Sequence, residues 1–185
     1  NMSYPSTVFD GNKDSKIKLY GTQGLERLMT FEKSLKKNYS YKNDTINNYG
    51  RIFSYNNIGK YSGKIHSICK QILKSKGVVL IYSQYLNGGC IPLALTLEEM
   101  GFNRYGRNSL FKKKPTQSIN PLTMKKRKKG DPRASYIMIT GDKSLSPNND
   151  HEINACTNED NINGEKIKVV IISKAESEGI DLKNI

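Results

Sequence analysis

Five residues, Val78-Val79-Leu80-Ile81-Tyr82, form an aliphatic and β-branched run bounded by Gly77 and Ser83. A run this short with no polar member has the pattern of a strand buried on both faces. Such strands occur in parallel sheets covered by helices on two sides. The segment just upstream has a different period: Ile65, Ile68, Cys69, Ile72 and Leu73 fall at i, i+3, i+4, i+7 and i+8, with Lys64, Lys70, Lys74 and Lys76 on the far side. This is one apolar face of a helix, and Gly77 stands where a helix stops.

The alternation repeats downstream. Ser83 to Gly89 reads as a polar turn, and Ile91 to Met100 as a helix with Pro92 in its first turn and Gly101 after its end. Tyr136 to Ile139 reads as a second strand, Asn148 to Cys156 as a short helix, and Lys166 to Ser173 as a third strand. Strand, helix, strand, helix, strand predicts an α/β fold with an open parallel sheet and right-handed crossovers. Ligands of such sheets sit beyond the carboxyl ends of the strands, so the loops after Tyr82, Ile139 and Ile172 are the ones to inspect. Residues 58–185 are expected to form this unit, with a basic insertion at about 103–134 that is too long for an ordinary connection and reads as an insertion or a mobile loop. Residues 1–57 read as a linker or irregular extension with one or two short helices: a loop over Asn1 to Tyr20, a helix over Gly21 to Lys37, and a connector holding one short element at Arg51 to Tyr55. The chain starts at Asn1, and Ile185 follows a strand and turn with no helix to close the unit, so both ends read as cuts in a longer chain.

The formal net charge of the 185 residues is +13, which favours a polyanion. Nucleic acid comes first among such partners and an anionic membrane surface second. Between Gly101 and Ser135 stand eleven Lys and Arg against the single acid Asp131, so the charge is a local feature. Lys112 to Lys114 and Lys125 to Lys129 have the composition of phosphate-gripping runs, of a nuclear import signal, or of solvated loops. Cys69, Cys90 and Cys156 are odd in number and far apart, which argues against a disulfide framework. With only His66 and His151 and no CxxC spacing, a zinc site is not expected. No run approaches the roughly 20 apolar residues that span a bilayer, and the N-terminus lacks a signal-peptide pattern. An intracellular protein without a membrane partner is therefore expected. Cys69, Cys90 and His66 read as core or helix-face residues, Tyr82 and Tyr136 as packing against helices, and Asn158 to Glu165 as a surface loop.

Two loops carry residues suited to phosphate chemistry. After the third strand comes Ser173-Lys174-Ala175-Glu176-Ser177-Glu178-Gly179-Ile180-Asp181. A hydroxyl at a strand end can bond phosphate, a glycine admits close backbone approach, and an Asp can accept from a ribose hydroxyl. After the second strand comes Thr140-Gly141-Asp142, where backbone N–H groups and the Thr140 hydroxyl can meet a phosphate. Each loop taken alone is equally an ordinary turn with capping residues.

Taken together, the segments Gly77 to Gln84, Tyr136 to Asp142 and Lys168 to Asp181 resemble successive motifs of the second RecA-like lobe of superfamily 2 helicases and remodeller-type ATPases. The strings Val79-Leu80-Ile81-Tyr82-Ser83, Tyr136-Ile137-Met138-Ile139-Thr140-Gly141-Asp142 and Ser177-Glu178-Gly179-Ile180-Asp181 look most like those in helicases and transcription ATPases of nucleocytoplasmic large DNA viruses. Tyr61-Ser62-Gly63-Lys64-Ile65 resembles the start of that lobe's first helix. The resemblance covers roughly residues 49 to 185. It implies a RecA-like, P-loop-NTPase-type lobe, incomplete at the C-terminus, in which Ser83, Gln84, Thr140, Gly141, Asp142 and Ser173 contact the backbone of DNA or RNA. Gly179 and Asp181 would reach ATP. It further implies ATP and Mg²⁺ as cofactors of the full-length protein, a first RecA-like lobe of the same chain as partner, no catalytic residue and no metal ligand within these residues, and, for a viral protein, a place in the virion or host cytoplasm. No GxxxxGK[ST] loop is present, and the family's arginine-finger motif would lie beyond Ile185, so this piece alone is expected to be inactive. The rival reading is a non-catalytic nucleic-acid or protein binding module of a viral transcription complex.

Overall fold

The computed structural model describes residues 2–5, 19–32, 38–114, 117–147 and 149–174. In chain order the elements are α1 (Gly21–Leu28), β1 (Met29–Glu32), β2 (Asn38–Tyr41), α2 (Asn43–Tyr49), α3 (Tyr55–Tyr61), α4 (Gly63–Ile72), β3 (Val79–Ser83), α5 (Ile91–Glu99), β4 (Asn103–Arg104), β5 (Ser135–Ile139), α6 (Asn149–Thr157) and β6 (Val169–Ser173). β3, β6, β5 and β4 lie side by side in that order, parallel throughout, which is the open sheet that the alternating pattern predicts. β1 and β2 form a separate antiparallel pair. The architecture is α/β and is consistent with a RecA-like lobe.

Helices cover both faces of the sheet. On one face Ile81, Tyr136, Met138, Val169 and Ile171 join a core with Ile65, Cys69 and Ile72 of α4 and Ile91, Leu93 and Leu97 of α5. On the other face Ile137, Ile139, Val170 and Ile172 pack with Cys156, Ile153 and Ala155 of α6. All ten residues of β5 and β6 are buried. At roughly 1.5 to 3 kcal/mol per fully buried aliphatic side chain, these two strands are the energetic centre of the sheet. β3 departs from its expected burial on both faces. It is an edge strand, and Leu80 and Tyr82 are 47% and 56% exposed, on the α6 side but out of reach of that short helix. The continuous apolar run reported strand and parallel pairing correctly and overstated the cover.

α5 is buried all round from Ile91 to Glu98, because it lies between the sheet and the helices of the N-terminal part. That part is less irregular than its Asn- and Tyr-rich sequence suggests. The expected helix over Gly21 to Lys37 ends at Leu28, where the chain enters β1. Ile52, Phe53 and Ile58 have no exposed surface. Met2 and Tyr4 also join the core, with Met2 N–H donating to the Gly88 carbonyl at 2.9 Å and Tyr4 OH to that of Asn87 at 3.0 Å.

Two adjacent acids at the end of α5 tie the long connections to the core. Glu99 accepts from Tyr41 OH at 2.7 Å and from Arg51 Nε at 3.0 Å, which pins β2 and the segment after α2. Glu98 is fully buried and accepts from the backbone N–H groups of Leu110 (2.7 Å) and Phe111 (2.9 Å) and from Tyr136 OH (2.8 Å). The basic insertion is therefore not a loose loop over its described residues: Leu110, Phe111 and Ile119 are buried, and Phe111 forms a bridge to Tyr39. The physical reason is the backbone accounting, since once Leu110 and Phe111 go inside, their N–H groups need acceptors, and the Glu98 carboxylate supplies both. Lys168, 1% exposed, works similarly at the same amino-terminal edge of the strands, just before β6, where its ammonium donates to the carbonyls of Ser75 and Lys76 just past α4, both at 3.1 Å.

Candidate nucleic-acid interface

Three parallel strands deliver their carboxyl ends to one edge. Ser83 and Ser173 are register partners on β3 and β6, and Thr140 follows Ile139, which is opposite Ile172. The loops leaving these ends enclose an open cleft of about 570 Å³ lined by Gln84, Leu86, Thr140, Gly141, Asp142, Ser173 and Lys174. Five of the six residues expected to contact a nucleic-acid backbone thus share one cleft. Ser83, the sixth, opens into an adjoining cavity of about 290 Å³ with Ser62, Lys64, Tyr82 and Tyr85, and Gln84 lines both. Gly179 and Asp181, which the resemblance directs toward ATP, lie outside the described residues.

The turn after β5 is built from its own side chains. Ser146 Oγ accepts from Thr140 N–H at 3.1 Å and donates to the Met138 carbonyl. Thr140 is 2% exposed, and its hydroxyl lies 3.1 Å from Ser146 Oγ. The Asp142 carboxylate accepts from Ser144 N–H at 2.9 Å, and its carbonyl accepts from the N–H groups of Leu145 and Ser146 at 2.8 Å. These bonds turn Thr140 inward and engage the Asp142 charge within the loop. Gly141, exposed and without a side chain, is left at the tip between the exposed Lys143 and the cleft. An acid held by its own turn repels a phosphate less than a free one, and the glycine lets an anion reach the backbone.

The segment after β3 is shaped by one π-helical turn, Leu86–Cys90, in which Cys90 N–H donates to the Tyr85 carbonyl at 3.0 Å. Gly89 within it permits close approach: a Cβ there would meet Ser83 Oγ at 2.1 Å. Ser83 Oγ in turn donates to the Tyr85 carbonyl at 3.1 Å and accepts from its N–H at 3.3 Å, which fixes the direction of Gln84. Gly89→Ala therefore drives the Ser83 hydroxyl out of both bonds and is expected to lower stability by about 2 kcal/mol. In the Ser83→Ala background the penalty is expected to shrink by half or more; paired urea titrations measure the coupling.

Burial raises the Cys69 and Cys156 thiols to about 12, and raises Cys90 as well, in keeping with core packing. Tyr39, beneath the cleft, is raised to about 12, first by burial and then by the Asp142 and Glu26 charges. Among the described residues no group of three or more His, Cys, Asp or Glu has the arrangement to hold a metal ion. No helix among the described residues is long and apolar enough to cross a membrane. Sequence reasoning missed Leu86 and Lys174 as cleft-lining residues; Lys174 was legible as the cation directly after Ser173 in the same loop.

No protein-family model matches the chain, and no solved structure matches it. Among curated proteins it is similar to the termination factor NPH-I homolog of African swine fever virus. In isolate Tick/Malawi/Lil 20-1/1983 it is 32% identical over 139 residues, covering 66% of this chain and 19% of that protein. The counterparts from isolates Pig/Kenya/KEN-50/1950 and Warthog/Namibia/Wart80/1980 match at the same identity and coverage. The chain spans about a fifth of the length of these relatives and is distantly similar, across 66% of its own length, to a viral termination factor.

Proposed function

We propose that the chain is part of the second motor lobe of an ATP-dependent nucleic-acid translocase or helicase, and that the cleft at the ends of β3, β5 and β6 holds the sugar-phosphate backbone of DNA or RNA. The observation that carries this reading is the convergence of Gln84, Thr140, Gly141, Asp142 and Ser173, from three separate loops, on one open cleft with Lys174 at its margin. In this reading Gln84, Ser173 and the backbone at Gly141 donate to phosphate oxygens, while Thr140 and Asp142 hold the loop that presents them. Ser83 sets the path of Gln84. Gly179 and Asp181 belong to the ATP side of the lobe, and the phosphate-binding loop, the Mg²⁺ and the larger part of the ATP site come from a first lobe in the full-length protein. Contacts to backbone without base readout suit a motor that must advance along any sequence.

Gln84→Ala is expected to weaken binding of the 185-residue chain to a fluorescent 20-nucleotide strand by about tenfold, the equivalent of one lost backbone hydrogen bond with partial desolvation. Fluorescence anisotropy measures it. An unchanged affinity removes the cleft from the binding surface. In the protein extended to the length of its relatives, nucleic acid is expected to stimulate ATP hydrolysis and Asp181→Ala to reduce it. Tight binding with no hydrolysis would favour the non-catalytic binding module instead.

A further inference from the structure

The basic insertion holds a feature that the cleft does not use. Residues 118–127 form a hairpin: Arg127 N–H donates to the Ser118 carbonyl at 2.9 Å, Asn120 N–H to the Lys125 carbonyl at 2.9 Å, and Ile119 and Lys126 form an antiparallel bridge. Its turn is internally fixed. Asn120 Oδ1 accepts from Leu122 N–H (2.8 Å) and Thr123 N–H (3.3 Å), and Met124 takes a positive φ of 54°. A second turn follows, in which Asp131 accepts from Lys128 N–H at 3.0 Å and its carbonyl accepts from Arg127 Nε at 2.7 Å. The one acid of the insertion is thus spent on holding the turn. Lys125, Lys126, Lys129 and Arg133 are exposed, and none forms an ion pair among the described residues.

The hairpin sits at the end of the sheet opposite the cleft. Ala134 N–H, just before β5, donates to the Ile119 carbonyl, and Ile119 and Gln117 pack against Gly101 just past α5. The five residues of β5 separate this edge from Thr140, roughly 17 Å at about 3.3 Å per residue. No aromatic residue lies between Gln117 and Ala134, so there is no platform on which unpaired bases would stack. A rigid, unpaired cationic tip without aromatics responds to phosphate density, and duplex carries a charge about every 1.7 Å of axis against about 3.4 Å for one strand.

We propose that the hairpin together with the turn after it, residues 118–131, is a second nucleic-acid contact, separate from the cleft, that grips the phosphates of a duplex through Lys125, Lys126 and Lys129. It shares with the cleft reading only the polyanion. Each phosphate neutralised on duplex contributes about 0.9 to the slope of log K against log salt. Replacing the three lysines by glutamine in the 185-residue chain should therefore make the slope for a 25-base-pair duplex less negative by about 2.7. Between 50 and 200 mM salt, the unsubstituted chain should lose roughly 40-fold more affinity than the triple variant. Because these side chains are exposed, the variant should keep its circular dichroism spectrum and melting temperature. An unchanged slope on duplex overturns the proposal, as does a loss confined to single strands. Retained duplex binding with lost binding to phosphatidylserine vesicles would also overturn it, assigning the tip to a lipid surface. Gln84→Ala, which removes no charge, separates the two sites. A normal affinity there with a reduced slope in the triple variant leaves the hairpin standing and removes the cleft, and the reverse result removes the hairpin alone.

Discussion

Replacing Glu98 by alanine lowers the free energy of unfolding by about 4 kcal/mol, because it leaves the N–H groups of Leu110 and Phe111 and the hydroxyl of Tyr136 buried without an acceptor. Glu98→Gln is expected to cost about half as much, since one carboxamide oxygen still accepts while the amide group faces an N–H. Urea unfolding followed by far-ultraviolet circular dichroism and tyrosine emission reads both; the chain has eleven tyrosines and no tryptophan. A loss under 1 kcal/mol for the alanine variant would mean that the insertion is not anchored through this carboxylate. The pH dependence carries a separate signature. Burial holds the Glu98 carboxyl above the usual carboxylate range, against the lowering effect of the Phe111 and Leu110 N–H groups. Its folded pKa therefore exceeds its unfolded one, the native state binds more protons between the two values, and stability declines as pH rises through that window. Glu98→Gln is expected to flatten this part of the profile.

The second large effect is at Asn161, which has no exposed surface and uses its whole carboxamide. Nδ2 donates to the carbonyls of Cys156 and Ile167, both at 3.0 Å, and Oδ1 accepts from the N–H groups of Lys166 (2.9 Å) and Ile167 (2.8 Å). One side chain thus ties the end of α6 to the residues that lead into β6. Asn161→Leu is expected to remove about 3 to 4 kcal/mol, and Asn161→Asp more, because a carboxylate oxygen would then face two carbonyls. Thermal melts of the two variants rank them; an aspartate variant as stable as the parent would contradict the arrangement. The loop around Asn161 reads in sequence as a plain acidic surface loop, and its exposed acids fit that reading. A single buried amide among them leaves no trace in composition.

The sheet was legible because strand and helix periods differ, and the runs at residues 78–82, 136–139 and 166–173 each sit within three residues of an observed strand boundary. The cleft was legible for a topological reason, as loops that follow parallel strands must meet at one edge. Three features were hidden. The cover over β3 depends on which elements reach Leu80 and Tyr82, a question of tertiary reach that hydrophobicity alone does not answer. The order of the insertion depends on Glu98, an acid whose burial no periodicity in the sequence signals. The N-terminal packing rests on scattered residues such as Met2, Tyr4, Ile52 and Phe53, which show no period because short elements and turns present them one at a time. Gly179 and Asp181 fall outside the described residues and remain part of the proposal.

The strand order has a consequence for how the chain comes to be folded. Among the described strands β6 comes last in sequence and stands between β3 and β5, which have no hydrogen bonds to each other. Among these strands, β3 has no parallel neighbour until synthesis has passed Ser173, and β5 has only the two-residue β4. Closing the sheet joins residues about ninety positions apart, the kind of long-range pairing that slows folding and exposes unpaired edges to other chains. A nascent chain halted before Val169 would carry its helices and its β1–β2 pair while the central layer waited for its middle strand.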